Sequence, residues 1–142
     1  MKLIFPFLVI TVISCKNAQG ITNAVEKINK CYEGSNQIEV DTKVIYNSKN
    51  KELTFYIGKD YKNSTQKWEI PMSKINANNI IYEDIEFPYL KIKAKKNKDI
   101  KYYENEILND SLTQFVYPIY DYCFSKKEIK ELILNLQKET EN

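Results

Sequence analysis

A chain of 142 residues suits one domain and is too short for two ordinary ones. Its 21 basic and 19 acidic residues nearly cancel, so no global field draws nucleic acid or steers anionic substrates. Every basic residue is Lys: the chain lacks Arg, whose bidentate fork nucleic-acid sites favour, and lacks His, the commonest general base and metal ligand. Ser-His-Asp catalysis is therefore excluded, and a Cys nucleophile would have no His to activate it. Gly20, Gly34 and Gly58 are the only glycines, too few and too scattered for a phosphate-cradling loop. The expectation is a protein that is not an enzyme, with no cofactor, no metal and no nucleic-acid partner. Apolar residues make up 43% and aromatics 13%, with 11 Tyr, a composition that suits half-buried strands rather than a disordered chain.

The first fifteen residues, MKLIFPFLVITVISC, place Lys2 ahead of a short apolar run from Leu3 to Ile13. A spanning helix needs about 20 apolar residues, so this run fits the core of a secretory leader instead. Val12-Ile13-Ser14-Cys15 resembles the bacterial lipobox: an aliphatic residue, a tolerant position and a small residue before Cys. The resemblance implies a diacylglyceryl group on Cys15, removal of residues 1–14 and acylation of the new amino terminus. Two or three chains hold a membrane stably where one binds marginally. The simpler alternative is ordinary secretion with a chance Cys. Taking away 14 of 142 residues leaves 128, enough for a core of its own. The expected organisation is a leader (1–14), a lipidated tether (15–20) and one domain (21–142). Lys16 stands where an Asp would signal inner-membrane retention, which points to the periplasmic face of the outer membrane.

From Ile21 the apolar positions Ile21, Ala24, Val25, Ile28, Cys31 and Tyr32 fall at helical spacing, predicting about three turns before Gly34. The period then changes to two. Ile38, Val40, Thr42, Val44 and Tyr46 predict a strand; 47–50 is turn chemistry; Leu53, Phe55 and Ile57 complete a hairpin. Further strands are expected at 66–70, stopped by Pro71, and at 80–86, after a turn at 76–79. Others are expected at 89–95, 100–104 and 113–119, with 96–99 read as a turn and 109–111 as the stretch before the last strand. Ser125 and Glu128 form a capping box ahead of the stripe Ile129, Leu132, Ile133 and Leu136, which predicts a closing amphipathic helix. The fold class is α+β: an antiparallel sheet or partly closed barrel of about six or seven strands between two helices.

Strands in hairpins, the phrase Trp68-Glu69-Ile70-Pro71-Met72-Ser73-Lys74-Ile75 before a central turn, and the closing amphipathic helix resemble small lipoproteins of the Bacteroidetes type. Their order of elements is similar to a pleckstrin-homology-like barrel capped by its last helix. The resemblance covers 37–138, and the helix before the first strand departs from the minimal barrel plan. It carries over no catalytic residue.

Several groups remain as candidates. Cys31 and Cys123 form an even pair, either a disulfide stapling the two helices or two separate buried thiols. Glu83, Asp84 and Glu86 have the makings of a glycosidase pair or a calcium site, or simply of a solvated acidic edge. Lys91, Lys93, Lys95, Lys96, Lys98 and Lys101 put strong positive charge on one face of a hairpin. That face is a contact for anionic headgroups or an acidic partner, or a lysine guard on an edge strand. Tyr102, Tyr103, Tyr117, Tyr120 and Tyr122 offer a partner surface or a cover for the core. Asp110-Ser111-Leu112 resembles a short O-glycosylation signal of exported Bacteroidetes proteins. The functional expectation is a lipid-anchored module that binds a protein or another envelope component; the alternative is an immunity or inhibitor lipoprotein that neutralises a toxin or hydrolase.

Overall fold

Apolar residues alternating from Thr42 onward fold, in a computed structural model, into two antiparallel sheets with a helix at either end of the chain. The structure describes residues 7–33, 42–58, 64–84, 88–119 and 123–141. Helix α1 (Phe7–Glu33) precedes strands β1 (Thr42–Asn47), β2 (Glu52–Ile57) and β3 (Gln66–Pro71). A single 3-10 turn, Met72–Lys74, leads into β4 (Ile75–Asp84) and β5 (Pro88–Ala94). Then come β6 (Ile100–Glu104), β7 (Ile107–Leu112), β8 (Gln114–Pro118) and helix α2 (Lys126–Thr140). The α+β class stands. The strand order is β1-β2-β3-β6-β7 in one sheet and β4-β5-β8 in the other, and the described strands do not close into one barrel.

The core lies between these sheets and beneath the helices. Phe55 of β2 meets Phe115 and Tyr117 of β8, each at 4.5 Å between ring centroids, while Trp68 of β3 lies 5.4 Å from Phe115. Such tilted contacts suit the ring quadrupoles and tie one sheet to the other. Ile21, Val25, Ile28 and Tyr32 on α1 and Ile129, Leu132 and Leu136 on α2 are all buried in the same cluster. The capping box of α2 forms as the sequence predicts: Ser125 Oγ accepts from the Glu128 backbone and the Glu128 carboxylate accepts from Ser125 N at 2.9 Å.

Four readings of the sequence change. Residues 15–20 were expected as a tether, yet the backbone of α1 runs through them without a break. Lys, Ala and Gln are good helix formers, and Gly20 lies against the Asn135 side chain of α2. A Cβ on Gly20 would lie 2.8 Å from Asn135 Nδ2, so the Asn135 side chain would have to shift to admit one. Asn76–Asn79 was expected as a turn but lies inside β4, where the register with β5 shifts between Ile75 and Ile80. Asn76 Oδ1 accepts from Asn78 N at 3.1 Å, so the side chain supplies a backbone partner where the ladder is irregular. Residues 109–111 were expected between strands; they lie on β7, paired with β6, which brings the described strands to eight. Finally, β5 and β6 do not form a hairpin: β5 pairs with β4 and β8, β6 with β3 and β7. The start of the first predicted strand, including Ile38 and Val40, lies outside the described residues.

Open sheets have edges, and helix side chains meet three of them. Asn29 of α1 donates to Val44 O at 2.8 Å and accepts from Val44 N at 2.7 Å, so its amide completes β1 as a neighbouring strand would. Tyr32 donates to Pro118 O on β8 at 2.7 Å, and Gln137 donates to Ile80 O on β4 at 3.3 Å. Replacing Asn29 by Leu should therefore cost about 1–3 kcal/mol, the desolvation penalty of two stranded backbone groups. Denaturant unfolding of the variant measures this; a loss below about 0.5 kcal/mol would show that water replaces the amide freely.

Candidate functional site

Chemistry at a site requires groups brought together, and the structure sorts the candidates by that standard. Cys15 lies on α1, whose backbone is helical from Phe7, five residues before Gly20. Cys31 at the end of α1 and Cys123 just before α2 are brought together: their sulfurs meet, and their Cα atoms are 5.8 Å apart, inside the range a disulfide spans. The sequence placed one late in the first helix and the other just before the last; the antiparallel packing of those helices supplies the distance.

The acidic stretch does not converge. Glu83 accepts from the Tyr89 hydroxyl and pairs with Lys91 at 3.1 Å, whereas Asp84 is exposed at the end of β4. The Tyr89 hydrogen bond, followed by that from Lys91, holds the Glu83 carboxyl below its usual range. A glycosidase acid needs the opposite shift. Glu86 lies outside the described residues, and among those described no three His, Cys, Asp or Glu side chains are grouped to hold a metal.

The six lysines do not share one hairpin face. Lys91 and Lys93 lie on β5, the central strand of its sheet, which removes the edge-guard explanation; Lys101 lies on β6 in the other sheet. Lys95, Lys96 and Lys98 occupy the link between them and are exposed. Lys98 reaches Asp110 at 3.7 Å.

The tyrosines divide likewise. Tyr117 is buried in the core, which leaves it no part in a partner surface. Tyr102 packs on Trp68 at 5.2 Å, and Tyr103 donates to Glu69 at 2.8 Å beneath the Lys67 ammonium, 4.2 Å from the ring. Tyr120 and Tyr122 lie outside the described residues. Asp110-Ser111-Leu112 falls on β7, where Asp110 Oδ1 accepts from Ser111 N at 2.7 Å.

Two features escaped the sequence. The tight turn Asn105–Glu106 has positive φ at both residues (50° and 65°), the backbone of a two-residue hairpin, and presents Ile107 and Leu108 at 72% and 52% exposure. They are consecutive residues of β7, so the two side chains leave opposite faces of the hairpin at its tip. The second is a cleft of about 250 Å³ between α1 and α2, lined by Gly20, Ala24, Lys27, Phe124, Glu128 and Leu132 among others. Lys27 and Glu128 form an ion pair across it, with the ammonium 5.3 Å from the Phe124 ring.

The Lys27 hydrogen bond, with smaller help from Ser125, lowers the Glu128 pKa from 4.5 to about 2. A depressed carboxyl contributes stability above its unfolded pKa and loses it as pH falls toward the folded value. Stability should thus decline between about pH 4.5 and 2, with a shallower decline in a Lys27→Met variant. Denaturation midpoints across that window check this, and identical slopes would contradict it.

No family model matches this chain, and no curated protein or solved structure does either. Among the described residues no helix is long and apolar enough to cross a membrane.

Proposed function

We propose that this chain is a non-enzymatic envelope lipoprotein, held by lipid on Cys15, whose folded body binds a protein or another envelope component. The observation that carries the reading is Val12-Ile13-Ser14-Cys15 at the end of a short apolar run, six residues before the buried Ile21. A lipidated Cys15 would join the membrane directly to a helix built into the core. The location is the periplasmic face of the outer membrane. That oxidising compartment keeps Cys31 and Cys123 covalently bridged.

The test is fractionation of cells making the natural chain or Cys15→Ala, with mass measurement of the Cys15 peptide. The natural chain should sediment with membranes and carry acyl mass, and the variant should be soluble. A variant that stays on salt-washed membranes sinks the lipid anchor. Crosslinking at the membrane then identifies what the body binds.

The second reading is an inhibitor or immunity lipoprotein. The Ile107–Leu108 tip favours it, because two exposed apolar side chains at the end of a hairpin offer a partner points of contact. Co-expression with a toxin encoded beside it decides the matter. Protection should be lost in Ile107→Ser/Leu108→Ser; equal protection by that variant removes the tip from the argument.

A further inference from the structure

The directions of the elements divide the molecule into two poles. Helices α1 and α2 run antiparallel: Gly20 lies beside Asn135, Lys27 pairs with Glu128, and Cys31 meets Cys123. The start of the packed part of α1 therefore shares an end of the molecule with the last turns of α2. Glu139 there accepts from Tyr46 at 2.6 Å, near the end of β1, and α2 also packs on the Met72–Lys74 turn. Met72 N donates to Lys51 O at 2.9 Å, which places the β1–β2 turn at the same end. Lys95 N donates to Lys74 O at 2.8 Å, and Lys95 Nζ to Ser73 O at 3.2 Å, which adds the β5–β6 link.

Three loops remote in sequence thus gather around the entry of α1, and they are rich in lysine. Lys49, Lys74, Lys95, Lys96 and Lys98 are exposed there. The acidic side chains of the same segments are mostly withdrawn: Glu52 and Asp99 are half-buried, Glu139 is 6% exposed, and Glu141 alone among them is exposed. Asp110 meets Lys98. The other pole differs. β3 runs from Gln66, beside Glu104, to Pro71, beside Glu52, so the Asn105–Glu106 turn lies about 17 Å from the lysine-rich loops.

Distance decides what the lysines meet. Five helical steps from Cys15 to Gly20 span about 8 Å, one Debye length at physiological salt, whereas the same steps extended would span about 17 Å. A helical 15–20 segment holds the lysines where headgroup charge is still felt.

We propose that this pole lies on the membrane and that its lysines contact anionic phospholipid headgroups, leaving the Ile107–Leu108 tip facing away. This rests on the lipidation of Cys15 in setting the orientation, and on the clustered charge in naming the ligand.

The test uses the lipidated mature protein in vesicles of phosphatidylcholine, with or without phosphatidylglycerol. A pulse of amine acylation is read by peptide mass. Lys49, Lys74, Lys95 and Lys96 should react about fivefold more slowly on the anionic vesicles, the factor one lysine near such a surface is worth, and high salt should restore them. Lys43, Lys126 and Lys127 should react equally on both. Equal rates at the four pole lysines overturn the proposal. The same spectra weigh the Cys15 peptide, so a missing lipid is seen separately. In that case flotation of the same protein with anionic vesicles decides: Lys49→Gln/Lys74→Gln/Lys95→Gln/Lys96→Gln must bind at least about a hundredfold more weakly, since four fivefold factors multiply. Equal flotation of the two proteins overturns the proposal.

Discussion

Replacing Cys31 and Cys123 by Ser should lower stability by about 2–4 kcal/mol and the thermal midpoint by roughly 10 °C. The two residues are 92 positions apart, and a link across so long a loop removes much of the freedom of the unfolded chain. The entropy model sets about 4–5 kcal/mol as its upper figure. The position adds to the effect, because the pair joins the end of α1 to the entry of α2, and both helices carry core residues. Thermal unfolding of the natural chain with and without reductant, beside the double variant, measures it. Reductant should bring the natural chain down to the variant and leave the variant unchanged. A natural chain indifferent to reductant would show two thiols side by side without a bond.

Phe55→Ala should cost about 3–5 kcal/mol, enough to threaten folding outright. Phe55 is 1% exposed and lies at the centre of the contact between the sheets, against Phe115 and Tyr117. Truncation removes a ring of one sheet that packs on two rings of the other, and neighbours held in separate hydrogen-bonded ladders collapse into the gap poorly. Phe55→Leu keeps most of the volume and should cost about 1–1.5 kcal/mol. Urea unfolding of both variants checks the order and the size. An alanine variant within about 1 kcal/mol of the natural chain would mean that the sheets repack around the loss.

What could be read along the chain was whatever is decided within a few residues. The α2 helix is the plainest case: Ser125, Glu128 and the stripe Ile129, Leu132, Leu136 specify start, direction and buried face by local hydrogen bonds and spacing. The β1–β2 hairpin follows from alternation on either side of a turn. Strand β7 was not legible, because Asn109-Asp110-Ser111 carries turn chemistry, and only the pairing of that segment with β6 holds it extended. Asn76–Asn79 misled for the same reason: polar side chains that bond backbone suit a turn and an irregular strand equally.

The candidate sites divide along the same line. Tyr117 and Glu139 look like surface residues in sequence; the first is a core ring, and the second is buried in hydrogen-bond contact with Tyr46, 93 positions away. The lysines from 91 to 101 form a continuous series on paper, but the chain changes sheets at the link and separates them, while Lys49 and Lys74 join the link from elsewhere. By itself the sequence determined the α+β class, the closing helix and the first hairpin, since each depends on neighbours along the chain. Only the tertiary structure decided that Cys31 reaches Cys123, that β5 is a central strand and that the lysine-rich loops share the pole where α1 enters. Each of these is a contact between segments tens of residues apart, set by how helices and sheets pack and not by any local pattern.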